Sequence, residues 1–131
     1  MKRLTLLTVL FLTVLSTPVF AEWKEMGNDS LGNTFYVDFD TIKQYQGYVF
    51  WWMLFDLLKP SSGGTISGKV YYQGDCNSFR VKSLNQLYFN EPMGKGTNIG
   101  KSKGGTEWKS LSPNKNRMQE KLLKSVCAYA K

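Results

Sequence analysis

Apolar and polar positions alternate along residues 34–40: Phe35, Val37 and Phe39 face one way, and Thr34, Tyr36, Asp38 and Asp40 the other. That period of two predicts a half-buried strand. A shorter strand is expected at 23–26, ended by the turn cluster Gly27-Asn28-Asp29-Ser30-Leu31-Gly32. Residues 48–58 are apolar on both faces, the pattern of a central strand covered on both sides. Lys59-Pro60-Ser61-Ser62-Gly63-Gly64 then turns the chain. Alternation resumes over 65–76, with Ile66, Val70, Tyr72 and Cys76 on one side and Thr65, Ser67, Lys69 and Gln73 on the other. The next run, 79–89, starts in register through Phe79 and Val81 and changes phase at Leu84, which a bulge near Ser83 would explain. Short turns between such runs imply antiparallel pairing.

The pattern then breaks. Residues 91–107 are rich in glycine and lysine and poor in apolar side chains, and are expected to form a long mobile loop, with a short strand at 108–111. A helix closes the chain. Ser112 suits its N-cap and Pro113 its first position. Met118, Leu122, Val126 and Tyr129 form one stripe with Leu123 and Cys127 beside it, and Lys115, Arg117, Glu120, Lys121 and Lys124 lie mainly opposite. The expected architecture is α+β: a small antiparallel β-sheet of about five to six strands packed by one C-terminal α-helix.

The first 21 residues read differently. Met1-Lys2-Arg3 is followed by an uncharged stretch from Leu4 to Leu15 and then Ser16-Thr17-Pro18-Val19-Phe20-Ala21. A positive start, an apolar run of about a dozen residues and small residues at the exit are the parts of a secretory signal. Cleavage is expected after Ala21, since the run is too short for a spanning helix and is broken by Pro18. The expected division is a signal peptide over 1–21 and a single domain over 22–131. Loss of Lys2 and Arg3 lowers the net charge from +7 to +5, which permits attraction to anionic surfaces without demanding it. The cut has no neighbouring cysteine, so no lipid anchor is expected there. A periplasmic, secreted or cell-surface location is expected.

Export decides how Cys76 and Cys127 are read. Two cysteines in a small domain of an oxidising compartment most simply form a disulfide, here between the end of a strand and the flank of the last helix. A metal site or a catalytic thiol lacks support, since the sequence contains no histidine and no CxxC. Missing histidine also removes serine–histidine and cysteine–histidine catalysis. Asp38, Asp40, Asp56 and Asp75 are the remaining acid–base candidates, but strand ends and polar faces account for them better. No enzymatic activity, cofactor or metal is expected. Binding chemistry is the stronger reading, with Lys95, Lys101 and Lys103 in the glycine-rich segment and the aromatics Tyr45, Tyr48, Trp51 and Trp52 as candidate contacts. Trp51 and Trp52 are adjacent on a strand and must point to opposite faces.

In order and spacing, several segments resemble the surface-adhesin protein E family. They are Trp23, Tyr36-Val37-Asp38-Phe39-Asp40-Thr41-Ile42, the tryptophan-bearing strand 47–58, Tyr72-Gln73-Gly74-Asp75-Cys76, Met93-Gly94-Lys95-Gly96, Glu107-Trp108, Ser112-Pro113 and Val126-Cys127. The resemblance implies a small antiparallel sheet whose C-terminal helix is tethered by a disulfide, mapping onto Cys76 and Cys127. It also implies a surface protein that binds host matrix and plasma proteins such as vitronectin, laminin and plasminogen. The expected partner is therefore a protein or a polyanionic macromolecule and not a nucleic acid. A homodimer through the aromatic strand is a further expectation. The alternative is a periplasmic structural or stress-related envelope component with no host ligand.

Overall fold

A computed structural model describes residues 22–111 and 117–130 of the 131-residue chain. Eight strands form one antiparallel sheet: β1 (Lys24–Asn28), β2 (Thr34–Val37), β3 (Lys43–Tyr45), β4 (Tyr48–Asp56), β5 (Ser67–Asp75), β6 (Arg80–Phe89), β7 (Asn98–Lys103) and β8 (Lys109–Ser110). The main order is β1-β2-β4-β5-β6-β7, with β3 added beside β4 and β8 beside β6. One helix, α1 (Arg117–Tyr129), crosses one face. The sheet-plus-helix α+β architecture is as the hydrophobic pattern predicted. The signal-peptide reading of 1–21 and the Ser112 and Pro113 cap lie outside the described residues.

Pairing puts partners on the same side of the sheet. Val49, Trp51, Met53 and Phe55 of β4 stand opposite Gly74, Tyr72, Val70 and Gly68 of β5. This is the face that α1 covers. Leu122, Leu123 and Val126 are fully or almost fully buried against Trp51, Met53, Val70 and Val81. Gly74 permits the close approach: a Cβ there would stand 2.6 Å from the Trp51 ring and 2.8 Å from Leu123. Cys76 and Cys127 are joined as expected, with Cα atoms 6.0 Å apart. The bridge fastens the last turns of α1 to the end of β5.

The phase change at Leu84 is a β-bulge. Tyr72 pairs Ser83 while Tyr71 pairs Asn85, so Leu84 has no opposite number. Its carbonyl accepts a 2.8 Å hydrogen bond from Gly104 N–H instead. Gly104 lies so close that a Cβ would stand 1.5 Å from the Ser83 carbonyl oxygen.

One expectation needs correction. Residues 91–107 are not a long mobile loop. Pro92–Gly94 makes a 3-10 turn, and β7 then pairs with β6 from Asn85↔Lys103 to Phe89↔Asn98. As an edge strand, β7 draws its stability from backbone bonds on one side, so it carries no apolar alternation to read. The hairpin joining β3 to β4 was also missed. It turns through Gln46 and Gly47, both at positive φ (51° and 82°), the geometry of a two-residue hairpin loop.

Candidate functional site

The face of the sheet turned away from α1 is half closed and half open. At its closed end the Pro92–Gly94 turn folds across β4 and β5. Asp56 Oδ1 accepts from Met93 N–H at 2.7 Å, and Ser67 Oγ accepts from Gly94 N–H at 2.8 Å. The first bond helps hold Met93 at a φ of 61°, unusual for a non-glycine residue. Beneath this turn Leu54 is completely buried. Lys69 reaches over the same patch, its Nζ 5.2 Å from the Phe89 ring centre and 5.8 Å from that of Trp23. Continuous apolarity in β4 is thus explained on both sides, but only at Leu54 is the second side fully covered.

At the open end the rows read straight from the strand register. One row is Lys43, Phe50, Gln73 and Lys82, and the next is Trp52, Tyr71, Asn85 and Lys103; the row after it, Leu54, Lys69, Leu87 and Lys101, borders the closed end, with Leu54 under the Pro92–Gly94 turn. Phe50, Trp52 and Tyr71 are only half-buried. The Trp52 and Tyr71 rings lie 4.9 Å apart, and Phe50 and Tyr71 6.2 Å apart. Farther along, Trp108 stacks on Tyr48 at 5.4 Å. Arg80 and Lys82 place their cations 4.4 and 4.6 Å from the Trp108 ring centre.

Charge on this face is unevenly distributed. Asp75 is spent on its own turn: Oδ1 accepts from Asn77 and Ser78 N–H, both at 3.1 Å, and Oδ2 from Arg80 Nε at 3.1 Å. The Ser78 hydrogen bond, then those from Arg80 and Asn77 and the Arg80 charge, together outweigh burial and hold the Asp75 carboxyl below the usual range. Lys43, Lys82, Lys101 and Lys103 make no ion pair; the pairs among the described residues are Arg80–Asp75 and Lys124–Glu120.

The candidates therefore separate. Lys101 and Lys103 are exposed on the open side of β7, and Tyr45 and Tyr48 face each other across the β3–β4 hairpin, Tyr45 64% exposed. Trp52 belongs to the half-buried aromatic group. Lys95 is exposed but sits just past the Pro92–Gly94 turn, at the closed end. Trp51 is 2% exposed beneath α1, stacked on Tyr72 at 5.3 Å, so a surface ligand does not reach it. Its indole nitrogen is buried without a hydrogen-bond partner. The open half-face also carries Phe50, Tyr71, Trp108, Arg80 and Lys82, none of them singled out from the sequence; for all but Trp108 the signal was the shared face parity of β4, β5 and β6. Of the other aspartate candidates, Asp38 is buried and accepts from Asp40 N–H at 3.1 Å, Asp56 holds the Met93 turn, and Asp40 is exposed. Among the described residues no cluster of three potential metal ligands exists, and no helix is long and apolar enough to cross a membrane.

Residues 23–128 match the family model described as Surface-adhesin protein E. The chain belongs to that family. The match spans all of the sheet and nearly all of α1. Solved structures of Haemophilus influenzae protein E share the fold at low identity. One has 18% identity and a TM-score of 0.62, covering 86% of this chain and 88% of that one. Crystal form II of the same protein has 19% identity and a TM-score of 0.57, over 74% and 83%. Protein E from a non-typeable strain has 17% identity and a TM-score of 0.55, over 86% and 79%. No individually curated protein matches the chain significantly. The surface-adhesin family is one of envelope proteins, and the disulfide-tethered helix expected from the resemblance is present.

Proposed function

We propose that this surface-adhesin protein E relative is an exported, non-enzymatic protein of the cell envelope that works by binding another macromolecule. The observation that carries the reading is the open half-face. Half-buried aromatic rings stand there among lysines that no acid neutralises, on a sheet held rigid from behind by a disulfide-fastened helix. Aromatic and cationic side chains on a firm support are the groups that dominate binding interfaces. Its side chains offer no general base with histidine chemistry, and each buried aspartate is committed to a turn. The signal-like residues 1–21 support export, with Glu22 as the first residue of the processed protein. Contacts are assigned to Lys101 and Lys103, with Lys95 at the margin, and to Tyr45, Tyr48 and Trp52; the partner is a host matrix or plasma protein or a polyanion.

The test is fractionation of the native cell combined with protease added to intact cells. Removal of the protein by external protease, with Glu22 found at its N-terminus, is the expected result. A cytoplasmic protein that keeps Met1 would refute export and with it this reading. Protection within the periplasm would instead favour an envelope component without a host ligand. On immobilised vitronectin or laminin, a Lys95→Glu, Lys101→Glu, Lys103→Glu variant should lose binding that the unaltered protein shows; unchanged binding removes the lysines from the contact.

A further inference from the structure

The donors on the open half-face outnumber its acceptors. Lys43, Lys82, Lys101 and Lys103 contribute ammonium groups, Trp52 an indole N–H and Tyr71 a phenol, with Gln73 and Asn85 as the amides between them. None of these eight side chains donates a hydrogen bond to a partner among the described residues, and Asp75, the acid at the end of β5, is neutralised by Arg80. We propose that this strip binds an anionic polysaccharide lying across the strands. The inference rests on the envelope-binding reading and names its ligand class.

Three features select that class. First, excess donors call for a ligand dense in acceptors and negative charge, as carboxylated or sulfated sugars are. Second, the strip is broad. From Lys43 on β3 to Lys103 on β7 it crosses four strand spacings, about 19 Å at ~4.8 Å each. That reach suits a run of sugar units and exceeds what one small anion needs. Third, the competing polymers lack their usual footing. Nucleic-acid bases bind sheets by stacking on free ring faces, whereas Trp52 and Tyr71 lie 4.9 Å apart and Tyr48 and Trp108 5.4 Å apart, so each ring has one face turned to a neighbour. An extended peptide adds along a strand edge through unpaired backbone groups, whereas the strip lies across the faces of β4, β5 and β6 and meets free edges only at its two ends, β3 and β7. Side-chain donors between ring edges are what the strip offers.

The experiment is isothermal titration of residues 22–131 with a size-defined heparin oligosaccharide, with neutral dextran of similar length and with a single-stranded oligonucleotide as comparison probes. Measurable binding of the heparin fragment, none of dextran and weaker binding of the oligonucleotide are expected. The K82E/K103E variant should weaken heparin binding on the order of tenfold or more. A control, K59E/K124E, makes the same change in charge away from the strip and should weaken it far less. Trp52→Phe, which removes the indole N–H and keeps a ring, should weaken it a few-fold with unchanged urea stability. Equal losses for the two lysine pairs would overturn the strip and leave only net charge. Absent heparin binding, binding of dextran, or tighter binding of the oligonucleotide would each overturn the ligand class. Such a failure stays separate from that of the functional reading: a surface-exposed protein that binds vitronectin but no glycan keeps the function and loses the strip.

Discussion

Removing the disulfide is the sharpest test of how the domain is held together. Cys76 and Cys127 are 51 positions apart. A closed loop of that size restricts the unfolded chain by about 4 kcal/mol in the chain-entropy treatment. The folded state loses little in return, because Leu122, Leu123 and Val126 keep α1 on Trp51, Met53 and Val81 without it. The expectation is therefore that Cys76→Ala, Cys127→Ala and the double variant all fold with the native helix content. All three should lose nearly the same stability, since either change abolishes the one constraint. For a domain of this size a loss of about 4 kcal/mol lowers Tm by about 15 °C. The midpoint in urea should fall by about 2–3 M. Thermal and urea unfolding followed by far-UV circular dichroism measure both, and reduced unaltered protein should match the variants. A drop in Tm of less than about 5 °C would refute the entropic argument. A double variant much less stable than either single one would show that the sulfurs matter through packing instead.

Two further outcomes follow from particular contacts. Gly104→Ala places a Cβ against the Ser83 carbonyl, so β7 must pull away from the bulge; a loss of about 1–3 kcal/mol is expected in urea unfolding, and unchanged stability would mean that the Gly104–Leu84 approach is not rigid. For Asp75 the sign comes from its depressed folded pKa: the stabilisation is complete above the unfolded value of ~3.9 and is lost as pH falls through the folded one. Asp75→Asn should therefore be less stable than the unaltered protein at pH 6, and the gap should close as pH falls below about 4; a gap independent of pH would contradict the charge assignment.

The parts of the fold that were legible are those where burial imposes a period. Phe35 and Val37, the alternation from Val70 to Tyr72, and the stripe Leu122–Val126 face one core, so their spacing records their direction. The bulge was legible for the same reason: inserting Leu84 moves every later side chain to the other face. β7 was illegible because Asn98, Lys101, Ser102 and Lys103 bury nothing, and what fixes them is backbone pairing with β6. At the proposed binding face, sequence could say that Trp51 and Trp52 diverge. Which one is covered depends on where α1 lies, and that is set by Gly74 and the Cys76–Cys127 bridge. The lysines of β7 could be named as candidates, but not their placement beside Tyr71, because that needs the register across β5, β6 and β7.

This division between faces also bears on how such a fold can change its ligand without losing its stability. On the α1 side Trp51, Leu123 and Val126 are almost wholly enclosed, and a change there leaves a cavity or a clash. At the closed end of the other side, Leu54, Lys69 and the Met93 turn form a second small packed patch. Between them Phe50, Trp52, Tyr71, Lys82 and Lys103 are supported from behind while their outer edges meet solvent. Substitutions there mainly exchange one solvated contact for another, and cost little as long as strand pairing is kept. Low identity to Haemophilus influenzae protein E with the fold retained is what such an arrangement allows. If the proposed strip carries the ligand, fold and ligand reside on different side chains of the same strands, so sharing the first does not fix the second.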